Sequence, residues 1–234
     1  TAVRAILFDF DETLVPDTDN VIGALEQVIA PLLPGTHLNP RHVVQSLRNH
    51  ADKLFHQSAH YAHLHMLGVS ADEGLWADFA GDDSAIAAAR QWVVQSYRPA
   101  VWEGLLEALE RPADPDLAAQ LSQAFYEERR NRGRTPYADT VPALDALAPR
   151  YAMALVTNGL SDLQRLKVSI SGLGPRFGAI IVSGEVGFGK PEPQAFQAAM
   201  QALGVGPEAA IMVGDSLERD VLGARAAGIP VVWV

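Results

Sequence analysis

Five short apolar runs limit what this chain can fold into. The first opens at Ala5 and ends in Asp9-Phe10-Asp11, and the others cover residues 151–156, 179–182, 209–213 and 230 onward. Runs of four to eight residues rich in Ile, Leu, Val, Met and Phe read as strands buried on both faces, as in a parallel sheet covered by helices. Helical patterns over residues 140–148, 161–170, 191–203 and 217–227 alternate with the later runs. Strict alternation of strand and helix predicts the α/β class, with a Rossmann-like, doubly wound parallel sheet. No strand pattern interrupts residues 20–130, where helices are expected over 20–33, 83–97, 101–110 and 116–130. Residues 39–68 read as one long helix or two joined ones, closed by Gly68. The expected organisation is a core of residues 1–15 and 136–234 interrupted by an inserted all-helical domain of residues 16–135.

Composition narrows the chemistry. The 234 residues include no cysteine, which excludes disulfides, thiolate metal sites and a Cys nucleophile. Catalysis must then use carboxylates, hydroxyls, Lys, His or a metal. A formal charge of −10 argues against nonspecific nucleic-acid binding, which needs a basic surface. No apolar run reaches spanning length and no secretory leader pattern opens the chain, so a cytoplasmic protein without a membrane partner is expected.

Chemistry is expected where the strands end, because open α/β sheets bind ligands outside the carboxyl ends of their strands. Alternation puts Asp9 and Asp11 on one side of an extended backbone, where two negative charges call for a cation between them. The later strands end in Thr157-Asn158-Gly159, in Gly187-Phe188-Gly189-Lys190-Pro191 and in Gly214-Asp215-Ser216, with Asp220 beyond. Asp9, Asp11 and Asp215 supply hard oxygen ligands of the kind that hold Mg²⁺ beside a phosphate. Thr157, Asn158 and backbone N–H groups suit phosphate oxygens, and Lys190 suits the charge on a transferring phosphoryl group. A carboxylate can itself serve as nucleophile in such a transfer.

At these residues the chain resembles the haloacid dehalogenase superfamily, specifically its aspartate-dependent phosphatases. Asp9-Phe10-Asp11-Glu12-Thr13 matches the first motif, Thr157 the second, Lys190 followed by Pro the third, and Gly214-Asp215-Ser216 with Asp220 the fourth. The all-helical insertion resembles the helical cap of one subfamily. The resemblance implies that Asp9 attacks phosphorus and that Asp11 is general acid and then general base. It implies that Asp9, the backbone carbonyl of Asp11 and Asp215 hold Mg²⁺, while Thr157 and Lys190 bind the phosphoryl group. Asp220 and Ser216 would support the site, and Thr13 would orient the nucleophile loop. The dehalogenases that name the family lack the second aspartate, so Asp11 points to a phosphate ester whose leaving oxygen needs a proton.

The expected function is therefore Mg²⁺-dependent hydrolysis of a small phosphorylated metabolite through an aspartyl-phosphate, by a monomer or homodimer. Alternatives are a phosphomutase of the same family and a catalytically silent binding protein that keeps the fold. All seven histidines lie between His37 and His65, and His56, His60 and His63 are spaced to share a helix face, read here as partly solvated rather than metal-binding. The run from Arg129 to Arg134 reads as a solvated helix end and linker. Trp76, Trp92, Tyr97 and Trp102 read as packing inside the helical insertion.

Overall fold

The structure is a computed structural model that describes residues 2–81 and 83–234. The chain forms two compact units. One contains Thr1–Asp17, Met66–Gly68 and Arg134–Val234, and the other Thr18–His65 and Val69–Gly133.

The first unit is built on strands β1 (Ala5–Phe8), β2 (Ala152–Thr157), β3 (Ala179–Val182), β4 (Ala210–Gly214) and β5 (Val231–Trp233). They form one sheet in the order β3-β2-β1-β4-β5, and every pairing is parallel. β1 is central, with Phe8 in register with Leu155 on one side and Val213 on the other. Its alternating side chains serve two cores. Ile6 and Phe8 pack with Leu144, Val168 and Phe177 on one face, while Leu7 packs with Phe196, Met200 and Ala224 on the other. Each of these side chains is almost fully buried, worth roughly 1.5–3 kcal/mol for a Leu or Phe. That double burial is why β1 reads as an uninterrupted apolar run.

The helices, in chain order, are α1 (Thr18–Ile29), α2 (Pro40–His56), α3 (Tyr61–Leu67), α4 (Ala71–Gly74), α5 (Ser84–Trp92), α6 (Arg98–Ala108), α7 (Pro115–Asn131), α8 (Thr140–Leu147), α9 (Ser161–Ser171), α10 (Ser183–Val186), α11 (Pro193–Leu203) and α12 (Gly223–Ala226). Asn39 caps α2 through Arg41 N–H and Asp114 caps α7 through Leu117 N–H, each followed by proline at the first helical position.

Three local expectations are corrected. The helices expected over 83–97 and 101–110 are continuous, because a wide turn over Val93–Tyr97, in which Arg98 N–H reaches Val93 C=O, lets the backbone pass Pro99. His56, His60 and His63 do not share a helix face, since the helix ends at His56 and a turn intervenes before the next one begins at Tyr61. The His56 ring packs tilted against Tyr61 and the His60 ring tilted against Trp92 instead. The arginine run is not a solvated end. Arg129 is fully buried with its guanidinium 4.7 Å from the Trp76 ring centre, and Arg134 is 2% exposed.

Trp76, Tyr97 and Trp102 are buried as packing residues, and Phe55, Trp92 and Tyr97 form an aromatic cluster in the helical unit. Among the described residues no helix is long and apolar enough to cross a membrane.

Candidate active site

β1 and β4 lie side by side where the strand order reverses, the place at which a doubly wound sheet opens a crevice. Asp9 N–H still bonds Val213 C=O, at 2.9 Å, so the nucleophile candidate sits one residue past the sheet in a fixed place. The chain then folds back on itself: Leu14 and Val15 N–H both donate to Phe10 C=O. Glu12 is left-handed there, with φ of 62°, a conformation that non-glycine residues adopt at a cost. Its carboxylate accepts from Asp17 N–H at 3.0 Å and from the Tyr137 hydroxyl at 3.3 Å.

A cavity of about 220 Å³ opens at this edge. It is bounded by Asp9, Asp11, Thr157, Asn158, Lys190 and Asp215, with Glu12, Ser216 and Arg219 completing the wall. Residues more than 200 positions apart in sequence therefore share one small space, as the parallel strand ends dictate.

Lys190, 4% exposed, donates to Asp9 Oδ1 at 2.6 Å and to Asp220 Oδ1 at 2.7 Å. Burial pushes the Asp9 carboxyl up to about 7, opposed by Lys190 and reinforced by Asp220. Burial works to lower the Lys190 pKa, but the Asp9 and Asp220 carboxylates outweigh it and raise the value. Asp220, wholly buried, also accepts from Ser216 N–H at 2.9 Å. Gly214 permits this approach, since a Cβ there would lie 2.4 Å from the Asp220 carboxylate.

Asp9, Asp215 and Asp220 place carboxylate oxygens within 4.8 Å of one another. Thr13 lies beside this group, its hydroxyl 3.1 Å from Asp215 Oδ1 and 3.5 Å from Asp9 Oδ2. A donor set of hard oxygens, with more carboxylates than lysines facing it, fits a divalent cation such as Mg²⁺.

The Asp11 carboxylate stands outside that group. Rather than sharing one cation with Asp9, Asp11 Oδ2 accepts from Lys167 Nζ at 2.9 Å and from Gln164 Nε2 at 3.3 Å. Two buried lysines, one for each aspartate, relieve the repulsion that the alternation implies. Asn158 also has a different task from the one expected of its side chain. Its Oδ1 accepts from Lys190 N–H and its Nδ2 donates to Lys190 C=O, both at 2.8 Å, so the side chain holds the lysine loop. Gly159, at φ of 135°, leaves room for Gln164, whose amide a Cβ would meet at 2.6 Å.

Lys167, Gln164, Asp17, Ser183 and Arg219 were not singled out from the sequence. A signal existed for two of them. The buried stripe of α9 is Leu163, Gln164, Lys167 and Val168, so half of an apolar-spaced face is polar. Ser183 and Gly159 both bond Leu67 C=O, and Gly189 N–H bonds Met66 C=O, which ties residues 66–68 to this edge. Nothing in the spacing of residues 66–68 announces that.

The family model for haloacid dehalogenase-like hydrolases matches residues 3–228. A phosphoserine phosphatase of Thermus thermophilus is 36% identical over 232 residues, spanning 99% of this chain and 88% of its own length. A glyceraldehyde 3-phosphate phosphatase of Methanopyrus kandleri is 33% identical over 148 residues, 62% of this chain and 63% of its own. Among solved structures, magnesium-bound YfnB from Bacillus subtilis superposes with a TM-score of 0.63 at 23% identity, covering 100% of this chain and 89% of that one. An L-2-haloacid dehalogenase from Xanthobacter autotrophicus gives 0.58 at 24% identity, with coverage of 99% and 77%. These two structural likenesses are likenesses of fold.

Proposed function

The chain belongs to the haloacid dehalogenase-like hydrolase family, and on that premise we propose that it is a Mg²⁺-dependent phosphomonoester hydrolase acting on a small phosphorylated metabolite. The observation that carries the reading is the pair Asp9 and Asp11 facing one cavity, with Lys190 and the Asp9–Asp215–Asp220 group beside the first of them.

Asp9 is the nucleophile. One of its carboxylate oxygens bonds to phosphorus as the bond from phosphorus to the ester oxygen breaks, and the departing oxygen takes a proton from Asp11. In the second half Asp11 takes a proton from water, whose oxygen displaces Asp9 from phosphorus and frees inorganic phosphate. Lys190 holds Asp9 in place and meets the charge that spreads over the phosphoryl oxygens. Thr157, at the end of β2 and 2% exposed, offers a hydroxyl to those oxygens, and Asn158 keeps Lys190 on station. Asp9, the backbone carbonyl of Asp11 and Asp215 would hold Mg²⁺, with Asp220 and Ser216 supporting Lys190 and the loop. When bound, the ion supplies positive charge that favours ionised Asp9 and offsets the phosphate dianion.

The helical unit is read as the cap that selects the leaving group, inserted over residues 16–135 of a core made of 1–15 and 136–234. Phosphoserine is the first ester to test, given the relative that matches nearly the whole chain. The test is phosphate release across a panel of phosphorylated metabolites, with Mg²⁺ and with chelator, for wild type and Asp9→Asn. Turnover that needs both Mg²⁺ and Asp9 supports the reading; release that persists in Asp9→Asn overturns the assignment of the nucleophile.

A further inference from the structure

Lys167 is 1% exposed and belongs to none of the groups that would hold the phosphoryl or the ion. Its Nζ lies 2.9 Å from Asp11 Oδ2 and 3.1 Å from Asp17 Oδ2. One helical turn earlier on the same face of α9, Gln164 donates to the same Asp11 oxygen and also to Asn158 C=O, at 2.8 Å. Asp17 is itself fixed, because its N–H is bonded to Glu12 and its Oδ1 faces buried Arg134 at 3.8 Å. Charges thus alternate along Arg134, Asp17, Lys167 and Asp11 through the interior of the strand-bearing unit.

Buried ion pairs are poor stability devices, since their desolvation often exceeds their attraction and well-packed apolar side chains do as well. What they provide is direction. Two donors on one carboxylate oxygen fix both side-chain torsions of Asp11, which would otherwise sample several rotamers on a loop. An acid that must hand a proton to a departing oxygen, and later take one from water, works only from a defined place.

We infer that Lys167 is the positioning residue for Asp11: anchored by Asp17 and assisted by Gln164, it aims the carboxyl that protonates the leaving oxygen and then accepts the proton of the attacking water. The inference rests on the phosphatase reading above.

The leaving group separates this role from a merely structural one. A 4-nitrophenolate departs without a proton, whereas an alkoxide needs one. Because kcat/KM reports events up to the first irreversible step, Lys167→Met should lower kcat/KM for an alkyl phosphate by about 30- to 100-fold, a loss that approaches the lower end of a general acid's contribution of about 10²- to 10⁴-fold, as expected when the acid is misdirected rather than removed. The same variant should keep kcat/KM for 4-nitrophenyl phosphate within about threefold, and should release a burst of nitrophenolate because the second, base-dependent half is slow. Lys167→Arg should recover part of the alkyl activity. In an Asp11→Asn background Lys167→Met should cost nothing further on the alkyl ester.

Equal losses on both esters, no loss on either, or full additivity with Asp11→Asn would each overturn the inference. If Lys167→Met does not fold, because Asp11 and Asp17 are left facing without their cation, Lys167→Gln is judged by the same ratio of ratios. A wild type inactive on both esters overturns the phosphatase reading, an active Asp9→Asn overturns the assignment of the nucleophile, and either takes this inference with it. An active wild type, an inactive Asp9→Asn and an unselective Lys167→Met overturn this inference alone.

Discussion

Asp9 and Asp11 are two residues apart, and each is held by a buried lysine that it shares with a second aspartate, yet the two arrangements differ in kind. Lys190 stands on a loop and is kept in place by the Asn158 side chain, which bonds its backbone at both ends. Lys167 stands on α9, where the helix itself fixes the backbone and Gln164 reinforces the contact. The Asp9 arrangement faces the candidate cation group, and burial pushes its carboxyl up to about 7. The Asp11 arrangement runs away from that group, towards Asp17 and Arg134. The difference teaches that neighbouring carboxylates on one loop can be given separate tasks by supplying each with its own counter-charge.

The comparison breaks most visibly at Asp9. Asp9→Asn should lower phosphate release by about 10⁴-fold or more on aryl and alkyl esters alike, as loss of a nucleophile does. Its stability should move the other way. A folded-state carboxyl raised from 3.8 to about 7 is most favourable to folding when protonated, so metal-free wild type should lose stability as pH rises from about 4 to 7. Asp9→Asn cannot titrate, so its melting temperature relative to wild type should climb across that window in thermal scans. A flat difference would contradict the burial argument.

Chelation should come next, reducing turnover by about 10³-fold with recovery on adding Mg²⁺, and it should affect both esters, since the ion belongs to the Asp9 side of the comparison. Asp11→Asn should then show the selectivity that Asp9→Asn lacks: about 10²- to 10³-fold lower kcat/KM on an alkyl phosphate and less than about tenfold on 4-nitrophenyl phosphate. Steady-state kinetics on the two esters decides it, and equal losses would place Asp11 outside proton transfer.

The smallest effect sharpens the contrast between the loop and the helix. Asn158→Ala removes two hydrogen bonds to the Lys190 backbone, so it should cost about 1–3 kcal/mol in stability and about tenfold in kcat/KM, without discriminating between esters. Denaturant unfolding and the same two-ester assay test this. A selective loss would tie Asn158 to Asp11 instead.

Much of the fold was legible because strand and helix leave different periods. The run ending at Phe8 reads as β1 since burial on both faces demands continuous apolar residues, and the proline-led starts of α2 and α7 read from their caps. The meeting of Asp9, Thr157, Lys190 and Asp215 was also legible, because parallel strands carry their ends to one edge. Less legible were the turn at Val93–Tyr97, which joins two expected helices, and the burial of Arg129 under Trp76 and of Arg134 near Asp17. A charged residue in a run looks solvated until its partner, far away in sequence, is known.

The order of strands and helices, and the identity of the residues at the strand ends, follow from the chain alone, because burial period and turn chemistry are local properties. Which counter-charge each aspartate receives was decided only by tertiary structure. Asp11 meets Lys167 across 156 positions and Asp9 meets Lys190 across 181. Such pairings depend on distances of about 3 Å between side chains on different elements, and no spacing along the sequence encodes them.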